Sequence, residues 1–373
     1  MNKISIGITV KIDSPTENFF SNGIKQNALV LLETFKEIDF VKDVYFINFG
    51  SQKDFSKSPW KQFTKHIINF EEALKKVNVI VTATALLPAD FVEKAGKKGI
   101  KMVNLVLGNE YYGLCESVLF AEEGRTMSKI RGYSASWMTP QHFETNRDLM
   151  EVMFDTNVEL SPYIWSPEFI QGHINEFQGK GKSTDYKNHG QQKRLSIFEP
   201  NINMVKTGIF PMVIAEKLHK KRPEILKHVN VFGTEKIKKK KAFIEFASSL
   251  DVYKNKKMSF EDRFPIVWSL IEHTDVVLSH QQDNALNYIY FDIAWMGWPL
   301  VHNAHMVKGL GWYYSGFFAD DAVDRLVEVM ENFDKNESFS EEYKRRSREY
   351  ISNFLPTHPR NVQGYKALLE KLF

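Results

Sequence analysis

Residues 284–303, NALNYIYFDIAWMGWPLVHN, decide how this sequence is read. They set an amide, Asn284, and a carboxylate, Asp292, eight positions apart on a stretch otherwise apolar enough for a buried helix, and they stop at Gly297-Trp298-Pro299. Eight residues span about two helical turns, so Asn284 is expected at the helix start and Asp292 two turns on. The run before it, HTDVVLSH (273–280), reads as a strand, and LVHN (300–303) opens the next. Strand, polar loop, helix and strand make the repeating unit of a parallel sheet.

The same alternation extends outward. Upstream, RLSIFEPN (194–201) and HVNVFGT (228–234) read as strands, and KTGIFPMVIAEKLHKKRPEIL (206–226) as a helix interrupted by Pro211 near its start. Between residues 176 and 193, EFQGKGKSTDYKNHGQQK holds almost no apolar residue and reads as a linker or surface loop. Before it the pattern runs through KISIGITV, GIKQNALVLLETFKEI, DVYFINFG, FEEALKKV, VNVIVTAT, PADFVEKAGKKG and KMVNLVLGN, strands and helices in turn. The tail from 340 gives two helices parted by Pro356 and Pro359. The expected fold is α/β, two Rossmann-like doubly wound parallel-sheet domains facing a cleft, over residues 1–180 and 190–357, with a helix at 358–373 returning to the first.

Composition agrees with a folded two-domain protein: 373 residues, 43% apolar and 13% aromatic. A net charge of +3 does not by itself announce a nucleic-acid binder. The single cysteine, Cys115, excludes an internal disulfide framework and suits a reducing cytoplasm. The N-terminal segment reads as a first strand rather than a secretion signal, and no apolar run reaches the roughly 18 residues of a membrane span. A cytoplasmic location is the expectation.

Asn284-x7-Asp292 closed by Gly-Trp-Pro resembles the donor-nucleotide region of GT-B glycosyltransferases, where the pattern is commonly Glu-x7-Glu followed by a Gly-x-Pro turn. More particularly, FEPNINMVKTGIFPMVIAE, SPYIWSPEFI and DIAWMGWPLVHN are similar to a little-described family of bacterial and phage proteins classed with these transferases. The resemblance implies that a nucleotide-diphosphate sugar lies on the second domain. Asp292 would take the ribose hydroxyls and Asn284 the sugar, with an amide replacing the family's charge. Lys206 would stabilise the diphosphate as it leaves. Glu199, Asn201 and Asn203 on the same loop, with Gly233 and His280 just past two later strands, complete the donor set, because open parallel sheets bind ligands beyond the carboxyl ends of their strands.

The first domain is expected to hold the acceptor. Ser21, Asn22 and Gly23 stand where a helix begins and can offer N–H groups to an anion or sugar oxygen. Glu110, after KMVNLVLGN, is the first candidate for the base that deprotonates an acceptor hydroxyl, with Asp13 and Glu17 as rivals. Trp137, His142 and Trp165 are candidates for stacking on a sugar or base. GKGKST at 179–184 imitates a phosphate loop, but Glu176 stands where the motif needs glycine. HNAH at 302–305 has no further metal-ligand cluster beside it and no Asp-x-Asp occurs, so neither a metal nor another cofactor is expected to be obligatory.

TEKIKKKKAF contributes Lys236, Lys238, Lys239, Lys240 and Lys241, which could track a phosphate backbone or merely form a solvated face. With the resemblance to phage proteins, this run favours 5-hydroxymethyl-pyrimidines of viral DNA as acceptor, reached by flipping the nucleotide out. A surface polysaccharide or lipid-linked glycan is the alternative acceptor. A sugar-nucleotide epimerase and a non-catalytic sugar-nucleotide binder are the readings outside the transferase class.

Overall fold

A computed structural model describes residues 2–14, 23–83, 87–120, 127–335 and 337–373. The chain forms two compact units, residues 1–169 with 353–373, and residues 170–352.

The first unit is built from β1 (Ile4–Val10), α1 (Gly23–Lys36), β2 (Val41–Asn48), β3 (Ile67–Ile68), α2 (Phe70–Lys76), β4 (Val79–Thr82), α3 (Ala89–Lys97), β5 (Lys101–Val106), α4 (Glu110–Phe120), β6 (Ala135–Met138), α5 (Phe143–Phe154) and β7 (Val158–Leu160). Its seven strands run in the order β3-β2-β1-β4-β5-β6-β7, every pairing parallel. All seven residues of β1 are buried. That is the mark of a central parallel strand covered on both faces: Ser5, Gly7 and Thr9, which alternate with its aliphatic residues, are buried as well.

The second unit contains most of α6 (Glu168–Gly179), then β8 (Lys193–Ile197), α7 (Ile209–Lys221), β9 (Leu226–Val231), α8 (Lys241–Ser249), α9 (Asp251–Lys254), β10 (Met258–Phe260), α10 (Ile266–His273), β11 (Val276–Ser279), α11 (Tyr288–Met296), β12 (Leu300–His302), β13 (Trp312–Tyr313), α12 (Ala319–Asn332) and α13 (Glu337–Ser352). Its strand order, β10-β9-β8-β11-β12-β13, is again wholly parallel. The order reverses between β8 and β11, the switch point at which such sheets open a crevice for ligands.

Three details differ from the sequence expectation. Pro211 does not interrupt α7, because it is the third residue of that helix, where no intrahelical N–H bond is needed. The polar segment 176–193 lies within the second unit and begins inside α6. The rest of it is tied down by charge: the buried Lys193 ammonium bonds Asp334, Asn188 (3.1 Å) and the Gly190 carbonyl (2.6 Å), while His189 and Arg194 both reach Asp275 at 2.8 Å. Finally, α11 begins at Tyr288, so Asn284 belongs to the preceding loop, whose Ala285 and Leu286 are buried without being helical.

The Gly-Trp-Pro stop has a plain physical cause. Gly297 ends α11 at φ 88°, a left-handed conformation natural to glycine, and its N–H bonds back to the Ala294 carbonyl at 3.1 Å. Trp298 then turns inward, 2% exposed, and donates from its indole nitrogen to the Thr274 carbonyl at 3.1 Å.

The chain returns to the first unit through α14 (Pro359–Glu370), which packs on α1. Tyr365 meets Phe35 edge-on at 5.6 Å and donates to the Pro162 carbonyl at 2.9 Å.

Candidate functional site

The switch point of the second unit is built by the loops that follow β8 and β11. After β8 the chain turns through Glu199-Pro200-Asn201. Asn201 takes a left-handed φ of 51°, and its buried side chain holds the loop shut: the amide donates to the carbonyls of Glu199 (2.8 Å) and Gly233 (3.1 Å) and accepts from the Gly208 N–H (2.7 Å). Gly233, past β9, has φ 69°, and a Cβ there would stand 2.8 Å from the Glu199 carbonyl oxygen. Asn201 and Gly233 therefore position the loop rather than face a ligand. Asn203 pairs with Lys206 in an antiparallel bridge, forming the small turn from which the lysine side chain departs.

Glu199 is 2% exposed. One carboxyl oxygen accepts from the Ser279 hydroxyl and from the His280 N–H at 3.1 Å, which fastens the β8 loop to the end of β11. Burial pushes the carboxyl up to about 7, against the Ser279 hydroxyl, the Lys206 charge and the His280 N–H, which pull it down. Burial also lowers Lys206 from the usual lysine range, with Glu199 opposing and the charge of Arg263 adding to the effect. With its amide oriented to satisfy both ends, Asn284 donates to the Leu286 carbonyl at 3.0 Å and accepts from the Lys206 ammonium at 3.2 Å. Lys206, Asn284 and Glu199 are thus brought together.

His280 is 4% exposed. Tyr314 donates its hydroxyl to the Ser279 carbonyl (3.1 Å), so the 2.9 Å contact between that hydroxyl and Nδ1 of His280 puts the imidazole proton on Nδ1. Burial lowers the imidazole to about 4, and Nε2 is left without a hydrogen-bond partner among the described residues. The ring lies 4.5 Å from Phe210 and from the exposed Phe317. A reciprocal amide pair, Gln281 with Asn303, joins the ends of β11 and β12, and the Gln281 side chain accepts from the Asn284 N–H at 2.6 Å. Asp292 is half-buried on the second turn of α11.

Ser279, Gln281, Asn303 and Arg263 belong to this site without having been singled out in the sequence. Polar residues at or just past the end of a strand were the available signal for Ser279, Gln281 and Asn303. Arg263 stands exposed on the turn between β10 and α10. Further along the rim, Lys236, Lys239, Lys240 and Lys241 are exposed, while Lys238 pairs with Asp262 at 2.5 Å and Lys241 approaches Glu245 at 3.7 Å.

In the first unit the structure revises several expectations. Trp137 is 1% exposed, a core residue of β6 set edge-on to Tyr365, and Trp165 is equally buried, so neither presents a face for stacking. His142 is buried at the start of α5, where its carbonyl accepts from the Asn146 amide at 3.0 Å. Asp13 is exposed, accepts from the Ser51 N–H (3.0 Å) and pairs with Lys11 (3.4 Å); these interactions hold its carboxyl below the usual range and make it a poor base. Gly23 opens α1, whereas Glu17, Ser21 and Asn22 lie outside the described residues.

Glu110 is half-buried at the first position of α4. The N–H groups behind it are closed by side chains, Tyr112 on Asn109 (3.1 Å) and Tyr111 on Asn146 (2.8 Å), an N-cap that orients the helix. A cavity of about 220 Å³ in this unit, lined by Lys101, Ser134, Asn157 and Glu159 among others, lies at the amino ends of β5, β6 and β7, opposite the edge where parallel sheets bind ligands. Among the described residues no group of three His, Cys, Asp or Glu side chains is placed to hold a metal ion, and no helix is long and apolar enough to cross a membrane.

A sequence profile described as Protein of unknown function (DUF2827) matches residues 6–369. No curated protein matches the sequence. Among solved structures the chain is similar to an O-GlcNAc transferase of Thermobaculum terrenum, with a TM-score of 0.56 and 8% identity over 100% of this chain and 68% of that one. It is also similar to Anabaena HepE in complex with UDP-glucose (TM-score 0.53, 12% identity, 98% and 100% covered) and to a glycosyltransferase from Rickettsia africae (0.53, 12%, 99% and 100%). At such identities the likeness is one of fold, and the two parallel-sheet units have GT-B construction.

Proposed function

The chain belongs to the DUF2827 family, and from the site in its second unit we propose that it is a glycosyltransferase moving a sugar from a nucleotide-diphosphate sugar to an acceptor hydroxyl. The observation that carries this reading is the meeting of Lys206 and Asn284 at the switch point between β8 and β11, beside the buried Glu199. A cation held against an amide, at the edge where such sheets take nucleotides, suits a diphosphate next to a sugar. Asp292 on α11 supplies the acceptor atoms that ribose hydroxyls require. The solved HepE complex with UDP-glucose supports a donor of this class.

In the reaction the bond between the anomeric carbon and the diphosphate oxygen breaks while the acceptor oxygen bonds to that carbon. The electron pair leaves with the diphosphate, whose growing charge Lys206 stabilises. The acceptor proton goes to a base, for which Glu110 is the assigned group, and an in-line base of this kind inverts the configuration. No metal or other cofactor enters this scheme.

For the acceptor, the exposed Lys236, Lys239, Lys240 and Lys241 keep 5-hydroxymethyl-pyrimidine DNA as the specific proposal, since such cations bind a phosphate backbone with strong salt dependence. The test is direct. Purified protein is given radiolabelled UDP-glucose, UDP-GlcNAc or GDP-mannose with hydroxymethylated DNA, unmodified DNA or no acceptor. Label confined to hydroxymethylated DNA supports both donor and acceptor. Donor binding by calorimetry without label in DNA removes the DNA acceptor and keeps the donor site, whereas no donor binding at all removes the transferase reading.

A further inference from the structure

Glu199 makes no ion pair within 4 Å among the described residues, although its side chain is almost wholly withdrawn from water. Its surroundings are neutral on nearly every side: the Ser279 hydroxyl and His280 N–H from the end of β11, and the phenols of Tyr290 on α11 and of Tyr314 after β13, the latter bonded to the un-ionised His280 ring. The one cation acting on it is Lys206, itself in contact with Asn284 and under the field of Arg263. Both hydrogen bonds go to a single carboxyl oxygen, and no described residue bonds the other. A glutamine would satisfy the same two donors without the cost of burying a charge. A carboxyl at this position therefore calls for a partner that the protein alone does not supply.

We propose that Glu199 recognises the donor's diphosphate as a carboxylic acid, taking up a proton when the nucleotide-sugar binds and donating it as a hydrogen bond to a diphosphate oxygen. The inference rests on the donor-site reading above. Its chemistry follows from placement. An ionised Glu199 beside the seat of a dianion would repel it, whereas a protonated one turns the same oxygen into a donor. With no ligand the carboxyl sits at about 7, and a bound anion raises it further. Below that pH the protonated form prevails and affinity is full. Above it, each binding event must draw a proton from solution, so affinity falls as pH rises, to about a tenth of its full value one unit higher.

Nucleotide-sugars are the appropriate probes because their diphosphodiester keeps a constant charge across this range. UDP-glucose, UDP-GlcNAc and GDP-mannose are titrated separately into the full-length protein at about pH 6 and about pH 8, in buffers of low and high ionisation enthalpy. For whichever binds, wild-type affinity is expected to be about tenfold weaker at the higher pH, with net proton uptake. In E199Q, which keeps the acceptor for Ser279 and His280, affinity should stay near the wild-type acidic value at both pH values and the uptake should vanish. Wild-type affinity independent of pH overturns the proposal. Uptake that persists in E199Q assigns the proton to Lys206 and also overturns it. A tenfold loss in E199Q at about pH 6 overturns it in favour of an ionised Glu199 on a sugar hydroxyl. Absence of binding by all three probes at both pH values is a separate result that removes the donor-site reading and this inference with it.

Discussion

The carboxyl edges of the two sheets are furnished differently. In the second unit, loops after β8, β9, β11 and β12 interlock through side chains: Asn201 ties its loop to Gly233, Glu199 is fastened to Ser279 and His280, and Gln281 pairs with Asn303. Glu199 there is withdrawn from water, with the half-buried Lys206 acting on it. In the first unit the polar candidates are either spent on local structure, as with Asn109 and Asn146 capping α4, or exposed and paired with neighbours, as with Asp13. One edge is preorganised for a fixed electrostatic task, since buried groups act at low dielectric and cost no reorganisation. Among the described residues, the other offers the half-buried carboxylate of Glu110.

The largest effect expected on that contrast comes from the sparser edge. E110Q should lower sugar transfer by about 10²–10⁴-fold, the range of a lost general base, while donor affinity by calorimetry stays unchanged. Transfer at the wild-type rate would leave the first unit without a base. K206A should cost about 10²–10³-fold in kcat, because it removes a charge aimed at the leaving diphosphate, and unlike E110Q it should also weaken donor binding. E199Q sharpens the comparison through stability. A carboxyl raised from 4.5 to about 7 by burial destabilises the folded state once the unfolded chain can ionise. That penalty is absent below about pH 4.5, grows as pH rises and is complete above about pH 7. Denaturant unfolding should therefore show E199Q more stable than the wild type by up to about 3 kcal/mol near pH 8, with no such gain near pH 4. The smallest effect belongs to D13N, whose transfer rate should stay within about twofold of wild type, because a carboxylate held ionised by Ser51 and Lys11 is badly placed to accept a proton.

Much of the architecture was legible because parallel strands buried on both faces announce themselves as short apolar runs between polar turns. β5 and β11 are of this kind. β3 and β13, two residues each, carry no period to read. The start of α11 was misplaced because Ala285 and Leu286 are as apolar as a helix interior while lying in a loop, and burial alone does not distinguish the two. Within the site, Lys206 and Asn284 could be picked out by their positions after strands, whereas the side-chain ties could not. Gln281 meets Asn303 across 22 residues and His280 meets Tyr314 across 34, and nothing local to either partner encodes the pairing. Trp137 shows the converse error. Its size suggested a stacking surface, but its alternation on β6 turns it into the core beside Tyr365, where aromatic bulk serves packing.

The helix α14 carries a consequence for the order in which the protein is made. With the residues that follow it, this helix supplies Tyr365, Leu368, Leu369 and Leu372 to the core of the first unit, and Lys366 and Lys371 bind Asp39 and Glu159 there. During synthesis the strands of that unit emerge first, yet their apolar cover arrives only after residues 170–352 have been translated. The second unit, continuous in sequence, is able to fold before the first is complete. The amino-terminal sheet thus spends the longest time with an unfinished core, its apolar surface uncovered while the second unit is being made.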